Sequence, residues 1–486
     1  MRLSELLREV EFEGSIKNDS DIKFVTDDSR LVRPGALFVC IRHRSFDGHT
    51  AAAEALASGA AAVVTQERLG LENELNVADS RAAYARLCAA LCGHPERKLR
   101  MIGVTGTNGK TTVTTLIRNI LSDSGIKTLL TGTVCNRLGE ESLPSGLTTP
   151  KPPELYSLLA RAVLSGCEAC VAEASSQALA QGRLEGIAFD AAVFTNITRD
   201  HLDYHGTFEN YLAAKKKLFE HSEVSAVNLD DPRADEIIAA SSGKTVTFST
   251  VLDCADYTAK NISLLPEGVS FELVSKGRIE HINFASPGLF SVSNAMAAAV
   301  CAINLGVDPR SAAQSLARSK GVCGRLERVE CGTPYSVIID YAHTPDGLEQ
   351  VLRALRPSCR GKLIVLFGCG GDRDKTKRPL MGAAACKYAD TVIVTSDNPR
   401  SEEPMRIIGD ILKGTDKKRR GLFIEEDRRR ATALALSLAK PGDTVLLAGK
   451  GHEKYQLICG EKLPLDERET VREILGLPHD TGRKKP

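Results

Sequence analysis

Apolar positions fall into short unbroken runs, each followed by a polar or glycine-rich turn and then by a segment of helical spacing. Runs at Ala36–Ile41 and Ala61–Thr65 flank the Ala-rich helical segment Thr50–Ser58, and Arg81–Leu91 is helical until Gly93-His94-Pro95 breaks it. A new cycle opens at once. Met101–Thr105 reads as a strand and Gly106–Lys110 as a loop, and Val113, Leu116, Ile117, Ile120 and Leu121 then recur at helical spacing before Gly125. Ala169–Ala172 and Ala191–Phe194 are further apolar runs ending in polar residues, and Leu289–Gly306 is an Ala-rich helix. From Arg328 onward, Val337–Ile339, Leu363–Phe367, Thr391–Thr395 and Thr444–Ala448 repeat the alternation. Strands buried on both faces and separated by helices predict an α/β protein with mostly parallel sheets. There is no internal repeat.

Composition narrows the class. A chain of 486 residues corresponds to about three domains of ordinary size. The 42% hydrophobic and 26% charged residues are globular values. Lys+Arg 63 against Asp+Glu 62 leaves +1, which argues against holding nucleic acid or an anionic membrane by bulk charge. With no Trp and 5% aromatics, base-stacking platforms and aromatic membrane belts are disfavoured. No apolar run is long enough to span a membrane, and Met1–Val10 carries Arg2, Glu5, Arg8 and Glu9 with no signal-like apolar stretch. The 14 cysteines stand singly in apolar segments, such as Cys40, Cys301 and Cys369. They predict reduced core thiols in a cytoplasmic protein. The pair Cys167 and Cys170 has no second pair at zinc spacing, so it too is read as core. Residues Thr481–Pro486 are read as a frayed polar tail.

Candidate chemistry sits where strands end. In Thr105-Gly106-Thr107-Asn108-Gly109-Lys110-Thr111-Thr112 a glycine loop joins strand to helix, aiming N–H groups at phosphate oxygens. Lys110 would reach β/γ-phosphates, and Thr111 or Thr112 would bring a hydroxyl to Mg²⁺. The general P-loop places glycine where this chain has Val104. Glu173, at the end of the next run, is placed to hold Mg²⁺. The segment Thr195-Asn196-Ile197-Thr198-Arg199-Asp200-His201-Leu202-Asp203-Tyr204-His205-Gly206 is dense in cation ligands, but Leu202 replaces the Glu of a zinc protease. Lys215, Lys216 and Lys217, taken alone, read as a solvated helix face. Asp340–Asp346, Gly368–Asp374, Asp397–Arg400 and Gly449–Glu453 mark a ligand crevice at strand ends, where acid and guanidinium could grip a zwitterion.

In their order, T-G-T-N-G-K-T-T, E-A-S-S, T-N-I-T-R-D-H-L-D-Y-H-G, A-A-K, G-R-L-E-R, D-Y-A-H-T-P-D, G-G-D-R-D, D-N-P-R and G-K-G-H-E resemble the Mur ligase family over nearly the whole chain. That family builds the bacterial peptidoglycan precursor of the cell wall. The resemblance implies three domains: 1–98 for the uridine nucleotide, a 99–327 P-loop ATPase with a mostly parallel sheet, and a Rossmann-like 328–486 that brings the amino acid. It implies a monomeric cytoplasmic ligase with small-molecule substrates, using ATP and Mg²⁺. The γ-phosphate would pass to a carboxylate of UDP-MurNAc-L-Ala-D-Glu, and an amine would attack the acyl phosphate. By resemblance Gly106, Thr107, Asn108, Gly109, Lys110, Thr111 and Thr112 hold the phosphates, with Asn294, Arg325, Asp340 and His343 near the nucleotide. Thr111, Glu173 and His201 match metal ligands, and Lys215 matches a lysine carbamylated by CO₂, overturning its bland reading. Lys110, His201 and Lys215 are the expected catalytic set. Ser29 matches a uridine contact, and Thr148, Thr149, Ser175, Gln181 and Arg183 match muropeptide positions. Asp397, Asn398, Pro399 and Arg400 resemble the loop of enzymes that add meso-diaminopimelate, with Arg400 facing the second carboxylate, and Arg373, Gly449 and Glu453 match the remaining contacts. The alternatives are L-lysine as substrate, another ligase of the superfamily such as a folylpolyglutamate synthetase, or a P-loop ATPase switch. Two departures stand out: Gln177-Ala178-Leu179 after E-A-S-S, and the basic loop Arg42-His43-Arg44-Ser45.

Overall fold

The computed structural model describes residues 1–43, 46–265, 267–416 and 419–478; Arg44, Ser45 and the tail 481–486 lie outside the described residues. The chain forms two compact units, Met1–Phe248 with Ala297–Ala312, and Ser249–Met296 with Ala313–Pro486.

The first unit holds two sheets. The N-terminal one runs Glu13–Gly14, Glu74–Asn76, Ala62–Thr65, Ala36–Val39, Phe24–Thr26, parallel apart from the two-residue edge strand. In the second, Arg100–Thr105 lies between Phe189–Phe194 and Ala169–Glu173, with Ser222–Asn228 and Thr128–Thr131 beyond them, all parallel. Its register pairs Glu173 with Val104 and Phe194 with Thr105, so three strands end side by side. That shared edge is what gathers the site. Helix Ser80–Leu91 starts at Asp79, whose carboxylate accepts from Arg81 N and Ala82 N. Its Leu87 and Ala90 share a buried cluster with Leu155, Tyr156 and Leu159 of helix Pro152–Leu164, and the removal of this apolar surface from water ties the two sheets into one unit.

In the second unit a six-stranded sheet runs Glu327–Arg328, Ser336–Asp340, Thr444–Ala448, Leu363–Phe367, Thr391–Val394, Leu422–Ile424, antiparallel only at its first pair. Leu363–Phe367 and Thr444–Ala448 are wholly buried, as unbroken apolar runs require of central parallel strands. Apolar cores cover both faces, one built on Leu348, Leu352 and Ile408 and the other on Ala431, Ala435 and Val471.

The sheets are mostly parallel, as expected, with antiparallel additions. Asn136–Leu138 and Glu141–Leu143 form an antiparallel hairpin, Tyr257–Leu265, Gly268–Ser275 and Arg278–Phe284 an antiparallel meander, and Tyr455–Ile458 pairs with Glu461–Pro464. The helix expected over Thr50–Ser58 is Ala52–Ala57, preceded by a 3₁₀ turn at Gly48–Ala51. Eight cysteines are buried, among them Cys167 and Cys170, but Cys254, Cys323 and Cys459 are exposed and so are not core residues. Burial pushes the Cys40, Cys301 and Cys369 thiols up to about 12, which leaves them inert as nucleophiles.

Candidate functional site

Helix Lys110–Asp123 begins without a side-chain cap: its N-cap is Gly109 at φ +88°. The helix dipole favours an anion at this start. Gly106 faces Thr195 so closely that a Cβ would collide with the hydroxyl. The loop is clamped from the neighbouring strand end. Thr195 Oγ1 donates to Asn108 O at 2.6 Å, Asn196 Oδ1 accepts from Asn108 N at 3.0 Å, and Thr107 N donates to Asn196 O at 2.8 Å. Lys110 Nζ lies along the loop, donating to Gly106 O at 2.8 Å and Thr107 O at 3.0 Å.

Glu173 is buried at the end of its strand and gathers three donors: Thr111 Oγ1 at 3.1 Å, Thr133 N at 2.8 Å and Thr133 Oγ1 at 2.8 Å. Of the two threonines, Thr111 is therefore the one that meets the acid. A carboxylate and a hydroxyl are hard oxygen donors, a set that suits Mg²⁺ completed by phosphate and water. Among the described residues no group of three His, Cys, Asp or Glu could hold a metal by itself.

Lys215 sits on the inner face of helix Phe208–Lys216, fully buried, with Nζ 4.6 Å from the Tyr211 ring centroid. Burial first, and the nearby Lys110 second, hold its amine well below the ordinary lysine range. Such an amine is a nucleophile. His201 occupies left-handed backbone at φ +53°, its ring 6.2 Å from Tyr211 and its Nε2 3.4 Å from Asp200 Oδ2. Desolvation lowers its imidazole below the usual value, partly opposed by Asp200. Tyr211 OH joins Thr107 Oγ1 at 2.9 Å, linking this helix to the glycine loop.

A hydrogen-bonded chain runs outward from Glu173. Thr133 Oγ1 reaches Thr148 Oγ1 at 3.1 Å, and Thr149 Oγ1 donates to Glu173 O at 2.6 Å and touches Ser175 Oγ at 3.1 Å. Arg183 Nη1 donates to Thr149 O at 2.6 Å, Arg183 Nε to Gln181 Oε1 at 3.0 Å, and Gln181 Nε2 to Tyr204 OH at 3.0 Å. Nearby, Lys151 Nζ pairs with Asp27 at 3.0 Å, beside the exposed turn of Ser29.

In the second unit, Asp340 accepts from Leu326 N and Ala342 N, both at 2.7 Å, and burial raises its pKa. The Arg325 guanidinium lies 4.7 Å from the Tyr341 ring, which also contacts the rings of His343 at 4.8 Å and His452 at 5.0 Å. Around the Asp397–Arg400 loop, Arg400 holds φ +54° and its Nη1 donates to Gly371 O at 2.7 Å. Asn398 Nδ2 donates to Glu453 Oε2 at 2.9 Å. Asp397 Oδ2 is buried with no hydrogen-bond partner, and a Cβ on Gly449 would come within 2.6 Å of it. Buried Arg428 braces the same edge, donating to Ser396 O at 3.2 Å and Ala448 O at 2.8 Å. Arg373 is exposed, its Nη1 3.3 Å from Asp372 O.

Residues 21–89 match the Mur ligase family catalytic domain, 104–302 the Mur ligase middle domain, and 324–451 the Mur ligase glutamate ligase domain. A protein of Syntrophomonas wolfei called UDP-N-acetylmuramoyl-L-alanyl-D-glutamate--2,6-diaminopimelate ligase is 43% identical over 98% of this chain and 99% of its own length. The chain belongs to the Mur ligase family. A like-named protein of Caldanaerobacter subterraneus is also 43% identical, over 98% of this chain and 99% of its own. A solved structure bearing that enzyme name is 34% identical, with a TM-score of 0.72 over 98% of this chain and 99% of that one.

Within this Mur ligase, the first unit brings Thr111, Glu173, Thr148, Thr149, Ser175, Gln181 and Arg183 into one network. Asn294, a residue of the second unit, is buried in helix Leu289–Asn304. Of the basic loop, Arg42 is engaged with Asp47 at 2.8 Å and Glu67 at 2.7 Å, and His43 faces Asp27 at 3.4 Å. Sequence reasoning missed Thr133, the hinge of the Glu173 network. Its Gly132-Thr133 follows a strand end, a position that could have drawn notice. No helix among the described residues is long and apolar enough to cross a membrane.

Proposed function

We propose that this Mur ligase adds meso-2,6-diaminopimelate to UDP-N-acetylmuramoyl-L-alanyl-D-glutamate with hydrolysis of ATP to ADP and phosphate, in peptidoglycan precursor synthesis. The observation that carries the choice of amino acid is the Asp397–Arg400 loop. It joins a buried carboxylate oxygen on Asp397, which accepts no hydrogen bond and lies 3.9 Å from the Arg428 guanidinium, to a second guanidinium held in left-handed backbone at Arg400. An acid beside a guanidinium suits an amine and a carboxylate, and a fork suits the second carboxylate that L-lysine lacks.

The chemistry follows from the poor electrophilicity of a carboxylate. A substrate carboxylate oxygen attacks the γ-phosphorus, the bond to the β-phosphate oxygen breaks, and ADP leaves. The amine of the incoming amino acid then attacks the acyl carbon. The nitrogen–carbon bond forms, the amine loses a proton, and phosphate departs from a tetrahedral intermediate. Such a transfer needs mainly positioning and charge balance. The loop 106–112 and the Lys110 ammonium balance the phosphates. Asn294, Arg325, Asp340 and His343 serve the nucleotide; Ser29, Thr148, Thr149, Ser175, Gln181 and Arg183 serve the muropeptide; and Arg373, Asp397, Asn398, Pro399, Arg400, Gly449 and Glu453 serve diaminopimelate. Mur ligases use ATP with Mg²⁺, which supplies charge neutralisation at the transferred phosphoryl group when bound. Thr111 and Glu173 would hold one ion, and His201 with a carbamate on Lys215 a second. The low amine pKa of Lys215 supports that carbamate, since only a neutral amine adds to CO₂: the nitrogen–carbon bond forms and a proton leaves. A monomer working in the cytoplasm belongs to the same reading. The assignment of residues 1–98, 99–327 and 328–486 to uridine nucleotide, ATP and amino acid belongs to the same reading.

Phosphate release with ATP tests this reading. It should require both the UDP-muramoyl dipeptide and meso-diaminopimelate. Release that ignores the dipeptide would replace it with an ATPase switch.

A further inference from the structure

Lys450 lies in the loop after strand Thr444–Ala448, and its side chain is 0% exposed. A lysine is almost never fully buried unless it is paired. Its Nζ donates to Asn398 Oδ1 and to Glu453 Oε2, both at 2.8 Å, with the Tyr455 ring centroid 5.5 Å away. Asn398 Nδ2 donates to the same Glu453 Oε2 at 2.9 Å, and Asn398 Oδ1 also accepts from Leu457 N at 2.8 Å. The hydrogen-bond roles are fixed by chemistry. An ammonium can only donate, so the Asn398 amide must turn its oxygen to Lys450 and its nitrogen to Glu453. Glu453 Oε2 is then occupied twice, which leaves Oε1 as the oxygen open to a ligand. The triangle also locks three segments together, because Leu457 O accepts from Arg400 N at 2.9 Å. One buried charge thereby sets the orientation of two side chains from different strand-end loops and, through Leu457, the backbone of the arginine between them.

We infer that Lys450 is a positioning residue for the amino-acid substrate, acting through Asn398 and Glu453 and not by touching the substrate itself. The inference rests on the diaminopimelate reading given above. Lys450→Met keeps the length of the stem and removes the donors. A hydrogen bond to a charged group contributes about 1.5–3 kcal/mol, so the KM for meso-diaminopimelate should rise by about ten- to a hundredfold. The KM values for ATP and for the UDP-muramoyl dipeptide should stay within about threefold.

Steady-state phosphate release, with each substrate varied in turn, reads this split. The double variant Lys450→Met/Glu453→Gln removes the orphaned carboxylate. If Lys450 acts through Glu453, the double variant should show the diaminopimelate KM of Glu453→Gln alone. Additive losses in that cycle, or equal rises in all three KM values, would overturn the inference. So would a failure of both the single and the double variant to fold, since Lys450 would then be a structural pin only. If the wild-type protein shows no stimulation by meso-diaminopimelate, the underlying reading fails first and takes this inference with it.

Discussion

Replacing Lys215 by Met should separate stability from activity. The lysine is buried, its Nζ makes no hydrogen bond or ion pair among the described residues, and it rests 4.6 Å from the Tyr211 ring centroid. Burying a polar group without a partner costs about 1–3 kcal/mol on the scale of protein substitutions. Met fills a similar volume without the polar head, so little cavity forms. In CO₂-depleted buffer the variant should therefore be more stable by about 1–3 kcal/mol, whereas most core replacements destabilise. For a unit of this size the unfolding midpoint should rise by roughly 2–12 °C. Activity should move the other way, by about a hundredfold or more, the scale on which loss of one group stabilising transition-state charge is felt. Differential scanning fluorimetry and phosphate release, each with and without added bicarbonate, read the two quantities on the same samples. A variant that melts lower than wild type while keeping its turnover would refute the reasoning, both on the burial cost and on the carbamate.

Other outcomes follow from the second unit. Arg400→Lys loses the fork and the bond to Gly371 O, and should raise the KM for meso-diaminopimelate by about tenfold or more while leaving that for ATP unchanged. Gly449→Ala places a Cβ 2.6 Å from Asp397 Oδ2 at φ +109°. It should lower stability by about 1–3 kcal/mol, read by denaturant unfolding, and weaken diaminopimelate use in the same variant. For pH, burial first and Arg325 second hold the His452 imidazole at about 4, against an ordinary 6.5. The unfolded chain therefore takes up this proton before the folded one. The stability contributed by the neutral imidazole is complete above pH 6.5 and is lost as pH falls through about 4. The stability difference between wild type and His452→Asn should shrink between pH 7 and pH 5, and a constant difference would contradict the assignment.

The sequence was most informative where one run of residues carried one element. Leu363–Phe367 and Thr444–Ala448 are strands to the residue, because an unbroken apolar run flanked by turns admits little else. The meander was harder. Val269, Phe271 and Leu273 are buried while Ser270 and Glu272 are less so, a period-two signal present in the sequence but outside the β/α rhythm of the rest. The glycine loop was legible for the same reason as the central strands: its parts are contiguous. The Glu173 network was not, because Thr133 and Glu173 stand forty residues apart and meet only through sheet register. Lys215 shows the limit of periodicity. Among three consecutive lysines nothing in the spacing alone marks the first as buried, and only the packing of helix Phe208–Lys216 turns it inward.

The central claim is the identity of the joined amino acid. Equimolar meso-diaminopimelate and L-lysine, offered together with ATP, Mg²⁺ and UDP-N-acetylmuramoyl-L-alanyl-D-glutamate, should yield one tripeptide product by mass spectrometry. The diaminopimelate adduct should dominate. A dominant lysine adduct would contradict it and remove the role given to Arg400.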